Sequence, residues 1–488
     1  MAPLSEIIFG TSKSTEAKRL RRLLESKQAR RIASRIYTTN LTDPPEMIIR
    51  ENVYPILGHL FPNTVISYRT ALEGGPTKSG EVFLSGPYSR KVKLPGLTVT
   101  VLKGPLAGEE DKPFMENLFM ASEPRAFLEN LQISRPRGEF AKTITRKELE
   151  DRLDRILRLR SEKAINDLRD KAREVAKKQG FEKEFKILDK IIGALLRTKS
   201  ASELQSTVAK ARAAGQAYDP ERQKRFETLF SALKQTPLRE ARETLTEAGG
   251  LRTLAFFEGY FSNYIEGTQF EVDEARQIVF EGKIPKTRPQ DAHDILGTYR
   301  VVSNLTEYRK LPTDFGSFWS LLSIRHETIL NGRPETRPGE VKTEVNRAGD
   351  TIFVAPDLVK GTLERGFEFY RVLESPSARA AYMMFLVSEV HPFTDGNGRV
   401  ARVMMNAELV AAGLRRIIIP TVFRDDYMGA LRALSRKGEP STYLRMIDRA
   451  QEFTASIDFS DFATAQRTLT AANAFKDSGE ARLTVPGA

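Results

Sequence analysis

The feature that most constrains this sequence is a pair of apolar segments joined by a short polar loop. The first segment, ARAAYMMFLVSEV, ends at Val390, and the second is VARVMMNAELVAAG. Both have the composition and spacing of helices. The run therefore predicts a helix–loop–helix, with the loop HPFTDGNGR held between two apolar helices.

The loop carries residue types that bind phosphate. Gly396 and Gly398 flank Asn397, and glycine adopts backbone conformations closed to other residues, so consecutive N–H groups can turn inward as an anion nest at the start of the second helix. Arg399 and Arg402 stand three positions apart in the first turn of that helix, where two guanidinium groups can grip a polyphosphate. These residues predict a phosphate cradle.

Two further loop residues add chemistry to the cradle. Asp395 offers a hard carboxylate oxygen of the kind that Mg²⁺ prefers alongside phosphate oxygens. His391 is the one side chain here whose ordinary pKa lies near neutrality, which makes it the natural general base. Together these residues indicate a phosphoryl or nucleotidyl transferase, with Asp395 as the metal ligand.

Each of these features also has an ordinary structural interpretation. A Gly-Asn-Gly sequence is usually a turn, an isolated histidine is usually structural, and arginine pairs on helices mostly face water. Their coincidence between two apolar helices favours the functional interpretation. HPFTDGNGRVAR matches every fixed position of the signature His-x-Phe-x-Asp/Glu-Gly-Asn-Gly-Arg-x-x-Arg, and on this motif the chain resembles the Fic family.

The resemblance implies a mainly α fold, in which an all-helical Fic domain with a β-hairpin flap covers about Ala255 to Lys476. It implies transfer of AMP from ATP to a serine, threonine or tyrosine hydroxyl of a target protein, with release of pyrophosphate. By similarity, His391 would deprotonate the hydroxyl, and Asp395 would hold Mg²⁺, or Mn²⁺ in its place. The phosphate-binding residues implied are Gly396, Asn397, Gly398, Arg399 and Arg402, of which the last would orient the γ-phosphate.

The flap implied by the resemblance matches the segment from Lys342 to Phe353, which is predicted to be a hairpin that positions the target by strand addition. Lys342 stands where many members have arginine, and Ser435 stands where an asparagine that contacts adenine is common. Asn406 and Tyr427 fit the usual pattern on the adenine and ribose side. The two departures leave the nucleotide preference open.

A second motif, FSNYIEG, ends at Gly267 in a predicted helix near residues 255–270. It resembles the inhibitory motif Ser/Thr-x-x-x-Glu-Gly/Asn of regulated Fic proteins. Ser262 and Glu266 share one helix face, and the resemblance implies that Glu266 reaches Arg402 in place of the γ-phosphate, which keeps the resting enzyme weak. An ordinary solvated or helix-capping role for Glu266 is the alternative, and a role in removing AMP stays open.

The remaining segments differ in composition. Extended pieces broken by glycine and proline from Pro62 to Pro105 predict a small antiparallel sheet within a basic α+β, winged-helix-like module over 1–135. Charged residues at helical spacing predict a helical connector over 143–236. The Fic domain is assigned to 251–476, and the closing residues 477–488 are predicted to be a tail.

The densest positive cluster lies in the N-terminal module, where a single acid, Glu25, stands among eight basic residues. These are Lys18, Arg19, Arg21, Arg22, Lys27, Arg30, Arg31 and Arg35. In a winged-helix-like frame the cluster would contact DNA phosphates, and a solvated helix face is the alternative. AKRLRRLLESKQARRIASRIYTTN followed by TVISYRTALEGG resembles the N-terminal part of AbiE-type antitoxins, which are DNA-binding autorepressors of bacterial toxin systems. This resemblance would imply a Fic enzyme fused to a DNA-reading or partner-sensing module.

Composition excludes several other classes of protein. The chain has no cysteine, so disulfides, zinc fingers and cysteine nucleophiles are excluded. No window is apolar enough for a membrane helix and no signal-peptide run begins the chain, which predicts a cytoplasmic protein with no membrane partner. The net charge of +12 favours acidic partners. The expected partners are a target protein and DNA, and a homodimer is left open.

Three functions therefore compete. The leading prediction is an autoinhibited protein adenylyltransferase that uses ATP and Mg²⁺. The second is a DNA-binding regulator or antitoxin-like fusion in which the Fic domain serves as a switch. The third is a Fic enzyme that removes AMP, or that transfers a phosphate or another phosphate-linked group.

Overall fold

A computed structural model of the chain describes residues 6–12, 14–115, 117–134 and 140–485. The described chain divides into two compact units, Met1–Gly215 and Gln216–Ala488. Residues 1–5, 13, 116 and 135 of the predicted N-terminal module, and residues 486–488 of the predicted tail, lie outside the described residues.

The first unit is an α+β structure in which the strands precede a run of helices. Its strands are β1 (Ile7–Phe9), β2 (Arg30–Ala33), β3 (Ile36–Thr38), β4 (Val65–Ile66), β5 (Glu81–Gly86), β6 (Arg90–Leu94), β7 (Leu97–Lys103), β8 (Lys112–Phe114) and β9 (Leu118–Met120). Its helices are α1 (Ser14–Glu25), α2 (Pro45–Glu51), α3 (Val53–Leu60), α4 (Tyr68–Glu73), α5 (Glu123–Asn130), α6 (Arg146–Leu159), α7 (Glu162–Gln179), α8 (Glu182–Leu195) and α9 (Thr207–Ala213).

The strands of the first unit form two sheets. A small antiparallel sheet has the order β1-β3-β2, and a six-stranded sheet has the order β6-β7-β5-β4-β9-β8. The prediction of an antiparallel sheet is wrong for the larger one, because β7 runs parallel to β5 and β9 runs parallel to β4. The chain leaves β5, forms β6 on the far side of β7 and turns back at Gly96, whose φ is 66°, so that β7 returns parallel to β5.

The structure divides the helices of the predicted connector, 143–236, between the two units. Helices α6 to α9 bury their apolar stripes in one core with Phe127 of α5. Helix α10 (Pro220–Gln235) instead packs Phe226 into the core of the second unit. The connector helices share one composition, but their apolar stripes have different partners, and it is the partners that decide where each helix belongs.

The second unit is helical with one short hairpin, as predicted for a Fic domain. After α10 its helices are α11 (Ala248–Ile265), α12 (Val272–Glu281), α13 (Pro289–Ser303), α14 (Leu305–Tyr308), α15 (Phe315–Leu330), α16 (Val359–Arg371), α17 (Pro376–Val390), α18 (Asn397–Ala411), α19 (Arg424–Lys437), α20 (Pro440–Ser456) and α21 (Phe462–Ala471). The predicted hairpin pairs β10 (Arg347–Ala348) with β11 (Thr351–Ile352). None of the helices described in either unit is long and apolar enough to cross a membrane.

Helices α17 and α18 lie at the centre of the second unit. Nearly every residue of both helices is buried, because their apolar side chains face outward on all sides and meet neighbouring helices. The loop from His391 to Gly396 joins them, which confirms the predicted helix–loop–helix. The position of the loop is therefore fixed by two buried helices.

The predicted tail packs onto the second unit over its described part. Val485 is buried in a core that also contains residues of α11, α12 and α21. The N–H of Thr484 donates to Ala472 O at 3.2 Å, and Asn473 Nδ2 donates to Arg482 O at 3.1 Å. The segment is short and mostly polar, so its sequence did not predict that Val485 packs into an apolar core.

Candidate active site

His391 follows the last residue of α17, and the backbone of that helix fixes its position. The residue has a left-handed φ of 55°, and its N–H donates to Val387 O at 3.0 Å. Its Nδ1 lies 3.1 Å from Ser388 O, and because a carbonyl oxygen only accepts, Nδ1 carries the proton. In the neutral ring, Nε2 then keeps its lone pair, as a general base requires.

The surroundings of His391 keep its imidazole neutral. Burial lowers the pKa of His391 to about 4, and the positive charge of Lys342 acts in the same direction, against the carboxylates of Glu266 and Asp395. The ring also stacks flat on Phe353, with the ring centroids 3.7 Å apart and the planes 9° from parallel. At physiological pH the side chain is therefore an uncharged base in a restricted orientation.

Phe393 anchors the middle of the loop in the core. Its side chain is buried and stacks on the ring of His326 at 3.7 Å between centroids. His326 Nε2 donates to Asp395 O at 2.9 Å, and its Nδ1 accepts from the N–H of Gly339 at 2.9 Å. Burial lowers the pKa of His326 to about 4, so this histidine is a neutral bridge that supports the loop.

The predicted cradle of Gly396, Asn397 and Gly398 differs in detail from the prediction. Gly396 caps α18 with a φ of 70°, whereas Gly398 has an ordinary helical backbone, so the expected freedom at both glycines is wrong for Gly398. The amide of Asn397 donates to Phe393 O at 2.8 Å and accepts from Phe393 N at 2.9 Å. That side chain is therefore engaged in closing the loop, which leaves the backbone N–H groups of the helix start to face a phosphate.

Asp395 presents a half-exposed carboxylate next to the cradle. Its Oδ1 accepts from the N–H of Gly396 at 2.7 Å, and its Oδ2 lies 3.5 Å from Arg399 Nη2. Within the described ranges, no three histidine, aspartate or glutamate side chains are grouped so as to hold a metal ion by themselves. A Mg²⁺ ion that keeps water and phosphate ligands needs only one or two carboxylates, so Asp395 fits that mode of binding.

Arg399 is held by an acidic residue that the sequence analysis missed. The guanidinium is buried, and its Nη1 lies 2.6 Å from Oδ2 of the fully buried Asp294. Arg333 Nε donates to both oxygens of the same carboxylate, at 3.0 and 2.9 Å. Asp294 thus pairs with two arginines near the start of α18, and its single negative charge offsets only part of their positive charge. It lies far upstream in α13 and outside any motif, so no sequence signal indicated it.

Arg402 meets the residues of the second motif directly. Its Nη2 donates to Glu266 Oε1 at 2.8 Å and to Ser262 O at 2.7 Å, and its Nε donates to Ser262 Oγ at 3.0 Å. Its Nη1 donates to the hydroxyl of Tyr427 at 3.2 Å. The guanidinium is buried, so this ion pair is screened less than a surface pair. Glu266 therefore binds the guanidinium of Arg402, the group that was predicted to bind the γ-phosphate.

The contact between Arg402 and Glu266 belongs to a longer ladder between α11 and α18. The two helices run antiparallel, and polar residues recur every fourth position along the facing sides. The pairs, in order along α11, are Glu258 with Asn406, Ser262 with Arg402, and Glu266 with Gly398 and Arg402. The spacing places each pair about one helical turn from the next.

Asn406 does not have a free polar group for the predicted contact with adenine or ribose. It is fully buried, its Nδ2 donates to Glu258 Oε1 at 2.8 Å and to Ile417 O at 2.9 Å, and its Oδ1 accepts from Ile417 N at 2.8 Å. Tyr427 is also buried and contacts Arg402. Asn406 is therefore a structural link between α18, α11 and the segment after α18.

The two positions that depart from the family pattern are both buried. Lys342 donates from Nζ to Asn346 Oδ1 at 2.6 Å, and burial lowers its pKa to about 7. Ser435 Oγ donates to Glu389 Oε1 at 3.1 Å, and Arg222 pairs with the same carboxylate. Lys342 thus lies beside the loop that carries His391, and Ser435 is bonded to Glu389 of α17.

The helical fold and the loop between α17 and α18 can be compared with known proteins. The Fic/DOC family profile matches residues 319–409, which run from within α15 to within α18. A Fido domain-containing protein of Dictyostelium discoideum is 33% identical over 108 residues, which cover 76% of that protein and 20% of this chain. The chain belongs to the Fic/DOC family.

Longer relatives match a smaller share of their own length. A protein named protein adenylyltransferase fic-1, from Caenorhabditis elegans, is 24% identical over 249 residues, which cover 48% of this chain and 46% of that protein. The chain thus spans less than half the length of this relative. The solved structure of Fic-1 (aa134–508) from C. elegans aligns with a TM-score of 0.37 at 18% identity, over 67% of this chain and 97% of that one.

Proposed function

We propose that this chain is a protein adenylyltransferase that moves AMP from ATP onto a protein hydroxyl, and that Glu266 holds it in an inhibited state. The observation that carries the proposal is the start of α18, where the neutral base His391 and the buried Arg402 lie at the two ends of a glycine-rich helix start. The name protein adenylyltransferase, carried by several curated relatives, supports the same chemistry.

In the proposed reaction, the target hydroxyl oxygen attacks the α-phosphorus of ATP. The bond from that phosphorus to the bridging oxygen breaks, and pyrophosphate leaves with the bonding electrons. The hydroxyl proton passes to Nε2 of His391, because the hydrogen bond from Nδ1 to Ser388 O leaves that nitrogen unprotonated. The backbone N–H groups and the dipole of α18 face the negative charge that develops on the phosphates.

Charged side chains around the helix start complete the proposed site. Asp395 would hold Mg²⁺ together with phosphate oxygens, and the ion would supply charge neutralisation for the α- and β-phosphates. Arg399, fixed by Asp294, adds positive charge at the same helical turn. Arg402 would take the γ-phosphate once Glu266 has left it.

Autoinhibition follows from competition for Arg402. The carboxylate of Glu266 accepts a hydrogen bond from the buried guanidinium and lies against Gly398, at the helix N-terminus where an anion is favoured. A carboxylate and a γ-phosphate cannot occupy this position together, since they overlap and carry like charge. The carboxylate is only partly exposed, with a side-chain exposure of 30%, and it is bonded to a buried guanidinium, which supports the inhibitory interpretation over that of a freely solvated carboxylate.

The test is transfer of label from ATP labelled at the α-phosphate to the chain itself and to proteins of a lysate. Glu266→Gly is expected to raise the incorporated label by about tenfold or more, the factor that corresponds to ~1.4 kcal/mol of released competition. His391→Ala combined with Glu266→Gly is expected to abolish it. Glu271→Gly is a matched control five residues further on, where the side chain is exposed.

The result also separates the alternatives within the family. Mass spectrometry of the modified peptides reports the mass of the added group. A phosphate or another phosphate-linked group in place of AMP would show that AMP transfer is not the reaction. Loss of AMP from previously modified proteins on incubation with the wild type would assign the reverse reaction to Glu266. No difference between Glu266→Gly and the wild type would remove the inhibitory role.

A second candidate function concerns the first unit, for which we propose nonspecific contact with DNA phosphates. Helix α1 buries Leu20 and exposes Lys18, Arg19 and Arg22, which have no ion pair within the described part of the chain. Lys27, Arg31 and Arg35 are also exposed, around the β2–β3 hairpin that follows α1. Unpaired basic side chains on a helix and the adjoining hairpin suit a polyanion.

Binding of the full-length chain to duplex DNA over a range of salt concentrations tests this candidate. Lys18→Ala with Arg22→Ala is expected to weaken binding and to lower the slope of log K against log salt by about 2, since two phosphate contacts are lost. Lys171→Ala with Lys186→Ala removes the same charge from exposed positions of α7 and α8 and is expected to change the slope little. Equal effects of the two pairs would reduce the interaction to general attraction by net charge.

A further inference from the structure

Three hydrogen bonds meet at Asn346, which immediately precedes β10 of the hairpin. Its Oδ1 accepts from Lys342 Nζ at 2.6 Å, and its Nδ2 donates to Phe393 O at 2.9 Å. Its main-chain oxygen accepts from the N–H of Phe353 at 3.1 Å. One half-buried asparagine therefore connects the segment before the hairpin, the segment after it and the catalytic loop.

The partners of Asn346 surround the catalytic histidine. Phe353 stacks on the ring of His391, and Phe393 lies two positions after His391 in the loop. The N–H of Lys342 donates to Pro392 O at 3.0 Å, which adds a second bond between the hairpin segment and the loop. Asn346 is thus bonded to both sides of the pocket in which the imidazole lies.

The orientation of the His391 ring needs more than one restraint. The bond from Nδ1 to Ser388 O fixes one edge of the ring, but it allows the plane to tilt about that bond. The face of Phe353 opposes the tilt. Phe353 is half-buried and does not belong to the hydrophobic cores of the described residues, so its own position depends on its main-chain tethers.

We propose that Asn346 is a positioning residue for the reaction. Its side chain fixes the start of the hairpin to the loop, so that its main-chain oxygen keeps Phe353 flat against His391 and the plane of the imidazole is fixed. The bond from Arg222 Nη2 to Ile352 O at 2.6 Å and the main-chain bonds named above do not use the side chain of Asn346, so the hairpin stays anchored when that side chain is replaced. The geometric part of the proposal stands independently, and its kinetic part rests on the proposed adenylyltransferase function.

The geometric part is tested by NMR on the full-length chain labelled with [¹³C-ε1]histidine. The chain has four histidines, and His391→Ala identifies the signal of interest. Stacking at 3.7 Å places the ring protons of His391 over the Phe353 face, where the ring current shifts their resonance upfield. Asn346→Ala is expected to move this resonance downfield by a large part of the shift that Phe353→Leu produces.

The kinetic part is tested in the Glu266→Gly background. Asn346→Ala is expected to lower kcat for AMP transfer by about tenfold and to leave the affinity for ATP unchanged, as loss of orientation without loss of binding predicts. Asn346→Asp still accepts from Lys342 but cannot donate to Phe393 O. Its kcat is expected to lie between the kcat of Asn346→Ala and that of the parent Glu266→Gly protein. Asn304→Ala is the control. It removes a hydrogen bond from Glu307 N to an asparagine side chain that lies outside the His391 loop and the hairpin, and it is expected to lower the folding stability by a similar amount.

The outcomes separate the two proposals. An unchanged His391 resonance in Asn346→Ala would overturn the positioning role, whatever the activity. A downfield shift with no AMP transfer by any variant would leave the positioning role in place and remove the adenylyltransferase proposal. An equal loss of kcat in Asn304→Ala and Asn346→Ala would overturn the kinetic part, because it would show a loss of folded protein.

Discussion

Glu266 rests directly on the backbone of Gly398: a Cβ at position 398 would overlap Glu266 Oε1 and lie 2.9 Å from Glu266 Cδ. Gly398 has an ordinary helical backbone, so a side chain here would compete with Glu266 for space and would not strain φ. The absence of a side chain at Gly398, which a phosphate would need for close approach, therefore also makes room for the carboxylate of Glu266.

This contact predicts energetic coupling between the two positions. Gly398→Ala adds helix propensity of about 1 kcal/mol but overlaps Glu266, so it is expected to destabilise the wild type and to be neutral or stabilising in Glu266→Ala. A double-mutant cycle on urea unfolding is expected to give a coupling free energy of about 1–2 kcal/mol. Additive effects would mean that the carboxylate does not occupy this position in solution.

Asn406 is expected to behave as a structural residue. Asn406→Leu removes its three hydrogen bonds and leaves Glu258 and the backbone of Ile417 with unpaired buried groups, so the free energy of unfolding is expected to fall by about 2–4 kcal/mol. The affinity for ATP, measured on folded protein in the Glu266→Gly background, is expected to change little. A large loss of ATP affinity at full stability would restore the contact with adenine or ribose that the sequence predicted.

Asp294 is expected to be indispensable to the stability of the second unit. Asp294→Asn leaves Arg399 and Arg333 without their shared buried counter-charge, which is expected to cost about 3–5 kcal/mol in urea unfolding. Asp291→Asn is the matched control, because Asp291 also pairs with Arg333 but is partly exposed, and the change is expected to cost about 1 kcal/mol or less. Similar losses in the two variants would contradict the central role of Asp294.

The pKa of His391 predicts the acid limit of the reaction. A base with a pKa of about 4 is unprotonated at and above pH 6, so kcat/KM of Glu266→Gly is expected to be flat with respect to this group from pH 6 to 8 and to fall as pH approaches the pKa. Lys342→Met removes a positive charge that lowers this pKa, so the acid limb is expected to move to higher pH. An acid limb near pH 6.5 in Glu266→Gly would show that the imidazole is solvated.

The same depressed pKa has a consequence for stability. The unfolded chain binds a proton at His391 near the ordinary pKa of 6.5, whereas the folded chain binds it only near 4. Folding is therefore favoured above pH 6.5, and this contribution is lost as pH falls from 6.5 towards 4. His391→Gln is expected to flatten the stability profile in that window, as urea unfolding at several pH values would report.

The pairing of Glu266 with Arg402 joins residues 136 positions apart and followed from the resemblance to the inhibitory motif. The helix–loop–helix and the hairpin within 342–353 are instead formed by neighbouring segments of the chain. Prediction from the sequence alone was most successful for these local contacts. It was less successful in the first unit, where the parallel pairing of β5 with β7 depends on which side of β7 the chain places β6. Alternating residues predict a strand but do not specify its neighbour.

The residues around His391 show the same division. By itself, the sequence determined that a histidine, a carboxylate, glycines and arginines stand together in one loop and the helical turn after it, because they are neighbours in the chain. Only the tertiary structure decided that Asp294 holds Arg399, that Phe353 covers His391, and that the amides of Asn397 and Asn406 are used within the protein. The physical reason is burial: a polar group removed from water must find a partner, and that partner is set by packing between distant segments of the chain.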